Sequence, residues 1–110
     1  MKCFDTLILG SGISGLVCAI ELAEAGQTVA VLSKEDSLYE SNTQYAQGGI
    51  VGRGENDSPE LLAKDILRAG DKLNNTKAVE RLVTKGPEYL KDFLIDRIQV
   101  PFYQSENNVY

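Results

Sequence analysis

Along the first third of the chain the apolar residues run together, then recur at helical spacing, then run together again. Phe4-Asp5-Thr6-Leu7-Ile8-Leu9 ends almost wholly apolar, as a parallel strand covered on both faces does. Gly10-Ser11-Gly12 stops it. From Ile13 to about Ala25 the residues Ile13, Leu16, Val17, Ile20 and Ala23 fall on one face of a helix, with the small Cys18 and Ala19 beside it. Gly26 stands where a helix C-terminal glycine belongs. Thr28-Val29-Ala30-Val31-Leu32 then reads as a second buried strand. The pattern is strand, glycine turn, helix, strand, one βαβ unit with a right-handed crossover expected.

The pattern then changes. Ser33 to Asn56 is polar, holds four glycines and shows no sustained period, so it reads as a loop of a length that is usually functional. Helices follow. Ser58 is a cap with Pro59 and Glu60 in the first turn, and Leu61, Leu62, Asp65, Ile66 and Ala69 carry that helix to Gly70. Thr76 is placed to cap the next, with Val79, Leu82 and Val83 on one face. Gly86-Pro87 is expected to end it and begin a third, with Tyr89, Leu90, Phe93 and Leu94 inward. Ile98 to Phe102 reads as a short edge strand, since Pro101 forbids a central one.

Composition narrows the chemistry. The chain has 110 residues, room for one domain, and a formal net charge of −5, which leaves no basic surplus to hold a nucleic-acid backbone or an anionic membrane. No apolar stretch reaches the roughly 20 residues of a membrane span, and no signal peptide is legible. Histidine is absent, which removes histidine general bases, His-ligated metals and His-assisted nucleophiles from these residues. Two cysteines, Cys3 and Cys18, are too few for a disulfide scaffold or a structural zinc site and read as buried, reduced thiols of a cytoplasmic protein.

Gly10-Ser11-Gly12-Ile13-Ser14-Gly15 is a G-x-G-x-x-G motif in the context that gives it meaning: after a strand, opening a helix, inside a βαβ unit. Gly10 allows the tight turn, Gly12 lets a pyrophosphate approach the backbone, and Gly15 lets helix pack closely on strand. The N–H groups and positive dipole end of the helix then face the phosphates. The end of the second strand departs from the dinucleotide pattern, which calls for an acid to bind the ribose. Here Leu32-Ser33-Lys34 precedes Glu35 and Asp36. Lys34 suits a phosphate, which leaves an adenosine 2′-phosphate, and hence NADP, open. Glu35 is the acid within reach of a ribose.

With the next segment, Ser41-Asn42-Thr43-Gln44-Tyr45-Ala46-Gln47-Gly48-Gly49-Ile50, the chain resembles the fumarate reductase and succinate dehydrogenase flavoprotein family in its L-aspartate oxidase branch. The resemblance runs from about Phe4 to Phe102. It rests on the Gly10–Gly15 motif, on Leu32-Ser33-Lys34 and on Thr43 to Ile50, with Asp65-Ile66-Leu67-Arg68-Ala69-Gly70 as a weaker fourth block. It implies a Rossmann-like α/β unit that binds FAD and is followed by helices. Ser11, Gly12, Ile13 and Ser14 would hold the pyrophosphate, and Lys34 would meet the adenosine side. Asn42, Thr43, Gln44, Tyr45, Ala46, Gln47, Gly48 and Gly49 would wrap the ribityl chain and the isoalloxazine ring. Thr43 and Gln47 offer hydroxyl and amide partners, and Gly48-Gly49 close backbone approach. Family members with covalent FAD carry a histidine where Asn42 stands, so non-covalent FAD is implied; the L-aspartate oxidase branch more often has serine there.

The resemblance further implies L-aspartate as a small dicarboxylate substrate, its oxidation to iminoaspartate for NAD biosynthesis, oxygen or fumarate as electron acceptor, and a cytoplasmic enzyme. A soluble fumarate reductase and a non-catalytic module binding an adenine dinucleotide are the alternatives. The helical segment Ser58 to Asp96 reads as scaffold, and Arg53, Arg68, Arg81 and Arg97 as a solvated face. No catalytic and no metal-binding residue is expected within these 110 residues. In the family the substrate-binding and proton-moving residues, the remaining FAD-domain strands and the capping domain come later. Residues 1–110 are therefore expected to be the N-terminal segment of a discontinuous, incomplete FAD-binding domain that, alone, exposes apolar faces.

Overall fold

A computed structural model describes residues 2–52 and 56–103. The chain divides into two compact units, Met1–Gly48 and Gly49–Tyr110.

The first unit is the βαβ element. Strand β1 (Thr6–Leu9) pairs in parallel with β2 (Val29–Leu32), Thr6 opposite Val29 and Leu9 opposite Leu32, and helix α1 (Ile13–Glu24) connects them. The strands start one or two residues later than their apolar pattern, because Asp5 and Thr28 are occupied with each other. The Thr28 N–H and hydroxyl both donate to the Asp5 carboxylate, and the Asp5 N–H donates to the Thr28 carbonyl at 2.9 Å. These bonds hold the Asp5 carboxyl below its ordinary value. α1 ends in a Schellman motif: the Gly26 N–H reaches the Ala23 carbonyl, the Gln27 N–H reaches the Leu22 carbonyl, and Gly26 takes φ +85°.

Helix α1 covers one face of the strand pair. Thr6 and Ile8 lie half-buried beneath it, whereas Leu7, Leu9 and Leu32 are exposed. Both strands read as covered on both faces; among the described residues only one face is covered, since one helix can shield only one side of a sheet. On α1, Val17 and Ile20 are half-buried, while Ile13 and Leu16 remain largely exposed. Cys3 and Cys18 are free thiols and exposed, not buried, because nothing described packs on the outer side of α1 or on residues before β1.

In the second unit, helix α2 (Pro59–Ala69) is capped by Ser58, whose side chain accepts from the Leu61 N–H at 3.2 Å. Helix α3 (Thr76–Tyr89) is capped by Asn75, one residue before the expected Thr76; its side chain accepts from the Ala78 N–H at 3.1 Å. Between them Asp71 and Lys72 adopt left-handed φ values of 44° and 65°, which lets the Asn74 amide turn back and donate to the Ile66 carbonyl.

Gly86-Pro87 does not break the chain into two helices. Pro87 lies inside α3, and Leu90–Arg97 continues as a π-helix, closed where the Ile98 N–H reaches the Phe93 carbonyl at 2.9 Å. Proline interrupts a helix by removing one N–H and crowding the preceding turn. Here Val79 and Val83 before it and Phe93 after it share one core, and the wider turn takes up the altered register. That core stripe runs through 79, 83, 86, 90 and 93. Tyr89 and Leu82 lie off it and are exposed, against expectation, while Leu90 and Leu94 are half-buried. Ile98 to Phe102 forms no strand: Gln99 takes a left-handed φ of 57°, and the Phe102 N–H turns back to the Val100 carbonyl. Arg97 stacks its guanidinium 4.8 Å from the Phe93 ring centre; Arg53 lies outside the described residues. No helix among the described residues is long and apolar enough to cross a membrane.

Candidate dinucleotide-binding site

The carboxyl ends of β1 and β2 open into a cleft of about 800 Å³, within the first unit. Its floor is Leu9-Gly10-Ser11-Gly12, one side is Leu32-Ser33-Lys34-Glu35, and the other is the loop from Glu40 to Thr43 with Tyr45.

Two glycines build the floor. Gly10 turns the chain out of β1 at φ +115°, where a Cβ is strained, and its N–H still bonds to the Leu32 carbonyl at 2.8 Å. Gly15 lies on the underside of α1, where an added Cβ would stand 2.1 Å from the Gly10 carbonyl oxygen and 3.3 Å from Ile8 Cγ2. Helix and strand approach that closely only because the side chain is missing. Gly12 is the N-cap of α1. It offers no side-chain cap, and no acid sits in the first turn. The positive end of the helix is thus left for an anion.

Ser11 is 5% exposed, the buried polar residue of the cleft, and its hydroxyl has no partner in the protein. A buried hydroxyl without a partner is costly unless a ligand or water meets it. Facing the helix start, the Thr43 hydroxyl oxygen accepts the Ile13 N–H at 3.0 Å. This bond brings the loop of the third sequence block onto the first. The loop also closes on itself: the Tyr45 hydroxyl donates to the Glu40 carboxylate at 2.7 Å, which raises the phenol above its ordinary value, and the Gln44 N–H reaches the Ser41 carbonyl at 3.0 Å. Lys34, 90% exposed along its side chain, pairs with Glu35 at 3.1 Å. An exposed neighbour pair of this kind is weak, so both side chains stay available to a ligand.

Of the residues singled out in the sequence, Gly10, Ser11, Gly12, Lys34, Asn42, Thr43 and Tyr45 line the cleft together. Ile13 reaches it through the Thr43 bond, and Gly15 acts beneath it. Ser14 starts α1 without lining the cleft. Gln44, Ala46, Gln47, Gly48 and Gly49 are exposed and do not line it; nothing lies within 4 Å of a Cβ added at Gly48 or Gly49. Sequence reasoning passed over Leu9, Leu32, Ser33, Glu40 and Ser41 as wall residues. The Ser33 hydroxyl accepts from the Glu35 N–H at 3.2 Å, a turn that a serine at a strand end signals. Glu40 carried no signal, because only the path of the loop brings it to Tyr45.

These residues suit an adenine dinucleotide with a pyrophosphate at its centre. The turn presents backbone, a buried hydroxyl and a helix N-terminus to the phosphates, while Glu35 and Lys34 flank the place of a ribose. The volume lies in the ordinary range for small-molecule sites. Among the described residues no group of three or more histidine, cysteine or acidic side chains is placed to hold a metal ion.

Comparison with known proteins agrees with this geometry. Residues 5–109 match the family described as FAD binding domain. The chain is 40% identical over 106 residues to the L-aspartate oxidase of Halobacterium salinarum, covering 96% of this chain and 20% of that protein. It is 40% identical over 94 residues to the chloroplastic L-aspartate oxidase of Arabidopsis thaliana, covering 84% and 14%. With the L-aspartate oxidase of Streptomyces coelicolor the identity is 39% over 88 residues, covering 79% and 15%. The chain therefore spans a fifth or less of the length of these curated relatives. No solved structure matches it. With the glycine turn, the orphaned Ser11 hydroxyl and a match over nearly its whole length, the chain belongs to the FAD binding domain family, and its cofactor is FAD.

Proposed function

We propose that these residues are the FAD-holding N-terminal segment of an L-aspartate oxidase, an enzyme that oxidises L-aspartate to iminoaspartate for NAD biosynthesis, with oxygen or fumarate receiving the electrons. The observation that carries the reading is the Ile13–Thr43 hydrogen bond, which joins the glycine motif to the Thr43–Ile50 block. The names and identities of the relatives support it. FAD, when bound, supplies a two-electron hydride acceptor.

The roles of this segment are to bind and orient. Ser11, with the backbone from Gly12 to Ser14, would hold the pyrophosphate against the start of α1. Lys34 and Glu35 would meet the adenosine side. Asn42 to Gly49 would follow the ribityl chain toward the ring. No histidine is present, so a histidyl link to FAD cannot form here, which supports non-covalent binding. The residues that bind the dicarboxylate and move its protons are assigned to sequence beyond these 110 residues. So are the strands that would cover Leu7, Leu9 and Leu32, whose exposure supports reading these residues as part of a discontinuous domain. The free thiols of Cys3 and Cys18 fit a reducing compartment, and we place the protein in the cytoplasm.

The test is the absorbance spectrum of the full-length protein before and after anaerobic L-aspartate. Flavin bands that bleach with L-aspartate, from FAD released intact by acid, are the expected result. A yellow protein indifferent to L-aspartate, whose dithionite-reduced flavin is reoxidised by fumarate, would move the assignment to a fumarate reductase. A colourless protein that FAD cannot reconstitute would sink it.

A further inference from the structure

The start of α1 is capped from outside its own helix. α2 and α3 have side-chain caps at the residue before the helix, Ser58 and Asn75. α1 has Gly12 there, with nothing to offer. Its first N–H, that of Ile13, goes instead to Thr43, which is 30 residues further along. The fit is close: a Cβ on Gly12 would touch the Thr43 hydroxyl at 3.4 Å.

We propose that Thr43 is a positioning residue that caps α1 in trans and, through that bond, fixes the loop wall of the FAD cleft before the cofactor arrives. The inference rests on the FAD-site reading and deepens it. Three features support it. No side chain of α1 itself makes a cap hydrogen bond. The loop is otherwise closed by bonds among its own residues, Glu40 with Tyr45, Ser41 with Gln44 and Thr43 with Ala46, none of which ties it to the βαβ unit. Ser11, buried beside it, keeps a hydroxyl free for the ligand, so the turn retains a phosphate partner although the Ile13 N–H is taken. Accordingly the pyrophosphate draws on Ser11 and Gly12, which line the cleft, and the Ile13 N–H belongs to the loop. This reassigns one of the four phosphate donors that the sequence resemblance implies. A hydroxyl is what the role requires: valine matches threonine in shape but cannot accept, whereas serine can.

Amide hydrogen exchange on the full-length protein freed of FAD, comparing parent, Thr43→Val and Thr43→Ser, tests the assignment. Loss of an N-cap predicts roughly fivefold faster exchange at Ile13 and across residues 40–46 in T43V, with T43S restoring the parental rates. FAD affinity should fall by about the same factor in T43V and recover in T43S, since the loop must then be ordered at the moment of binding. Unchanged exchange in FAD-free T43V, with only FAD affinity reduced, would overturn the proposal and leave Thr43 as a direct ligand contact. Failure of the parent to bind FAD would defeat the FAD-site reading instead, while the exchange result would still decide whether Thr43 caps α1.

Discussion

Replacing Gly15 with alanine separates the two tasks of the glycine motif. The added Cβ would stand 2.1 Å from the Gly10 carbonyl oxygen, 3.2 Å from its carbon and 3.3 Å from Ile8 Cγ2, where ordinary contacts lie at 3.4–4 Å. The nearest atoms are backbone, so no side chain can swing away. α1 must lift from β1 by about 1 Å, or the turn must deform. Overpacking of this kind costs up to about 3 kcal/mol. Alanine recovers about 1 kcal/mol through its better helix propensity. The net loss is about 2 kcal/mol, roughly 30-fold in the folding equilibrium. FAD affinity falls with it, since the lifted helix carries the phosphate donors. Gly12→Ala provides the contrast: its Cβ meets only the Thr43 hydroxyl at 3.4 Å, so stability changes by less than about 1 kcal/mol while FAD binding weakens. Urea unfolding of the FAD-free full-length protein, paired with FAD titration by flavin fluorescence, reads both quantities. A G15A protein with an unchanged unfolding midpoint and unchanged FAD affinity would refute the close-packing argument.

Two further outcomes are expected. Asn75→Ala should lower stability by about 1 kcal/mol in urea unfolding, whereas Thr76→Ala should stay within about 0.5 kcal/mol; the reverse order would restore Thr76 as the cap of α3. The Tyr45 phenol should ionise above its ordinary value of 10.0, because Glu40 accepts its proton in a hydrogen bond. The fold favours the neutral phenol, so this contribution to stability is full below the ordinary value and disappears as pH rises through the folded one. Phenolate absorbance, taken as the difference between parent and Tyr45→Phe, should shift to lower pH in Glu40→Gln. An identical titration would show that the pair does not persist in solution.

Much of this protein is decided locally, and that part was legible in the residues. Apolar runs bounded by glycine made β1, α1 and β2 readable, because strand and helix periods and glycine's freedom act over a few residues. The glycine motif announced its ligand class for the same reason: turn, helix start and close packing are all built from neighbours in sequence. Ser58-Pro59-Glu60 likewise marked a helix start that the fold keeps. What tertiary structure decided involves residues far apart or competing for one place. Gly86-Pro87 has every local reason to end a helix, yet Val83 and Phe93 are buried in one core and the chain passes through as a π-helix. Ile98 to Phe102 has strand-like residues but no partner strand among the described residues, and a strand's hydrogen bonds are made only with a neighbour. The exposure of Cys18, Leu7 and Leu9 depends on what else covers α1 and the sheet, which no local pattern records. Thr43 shows the division most clearly. Its place in the motif was visible, but its bond to Ile13 exists only because the chain returns, 30 residues later, to a helix start that lacks a cap of its own.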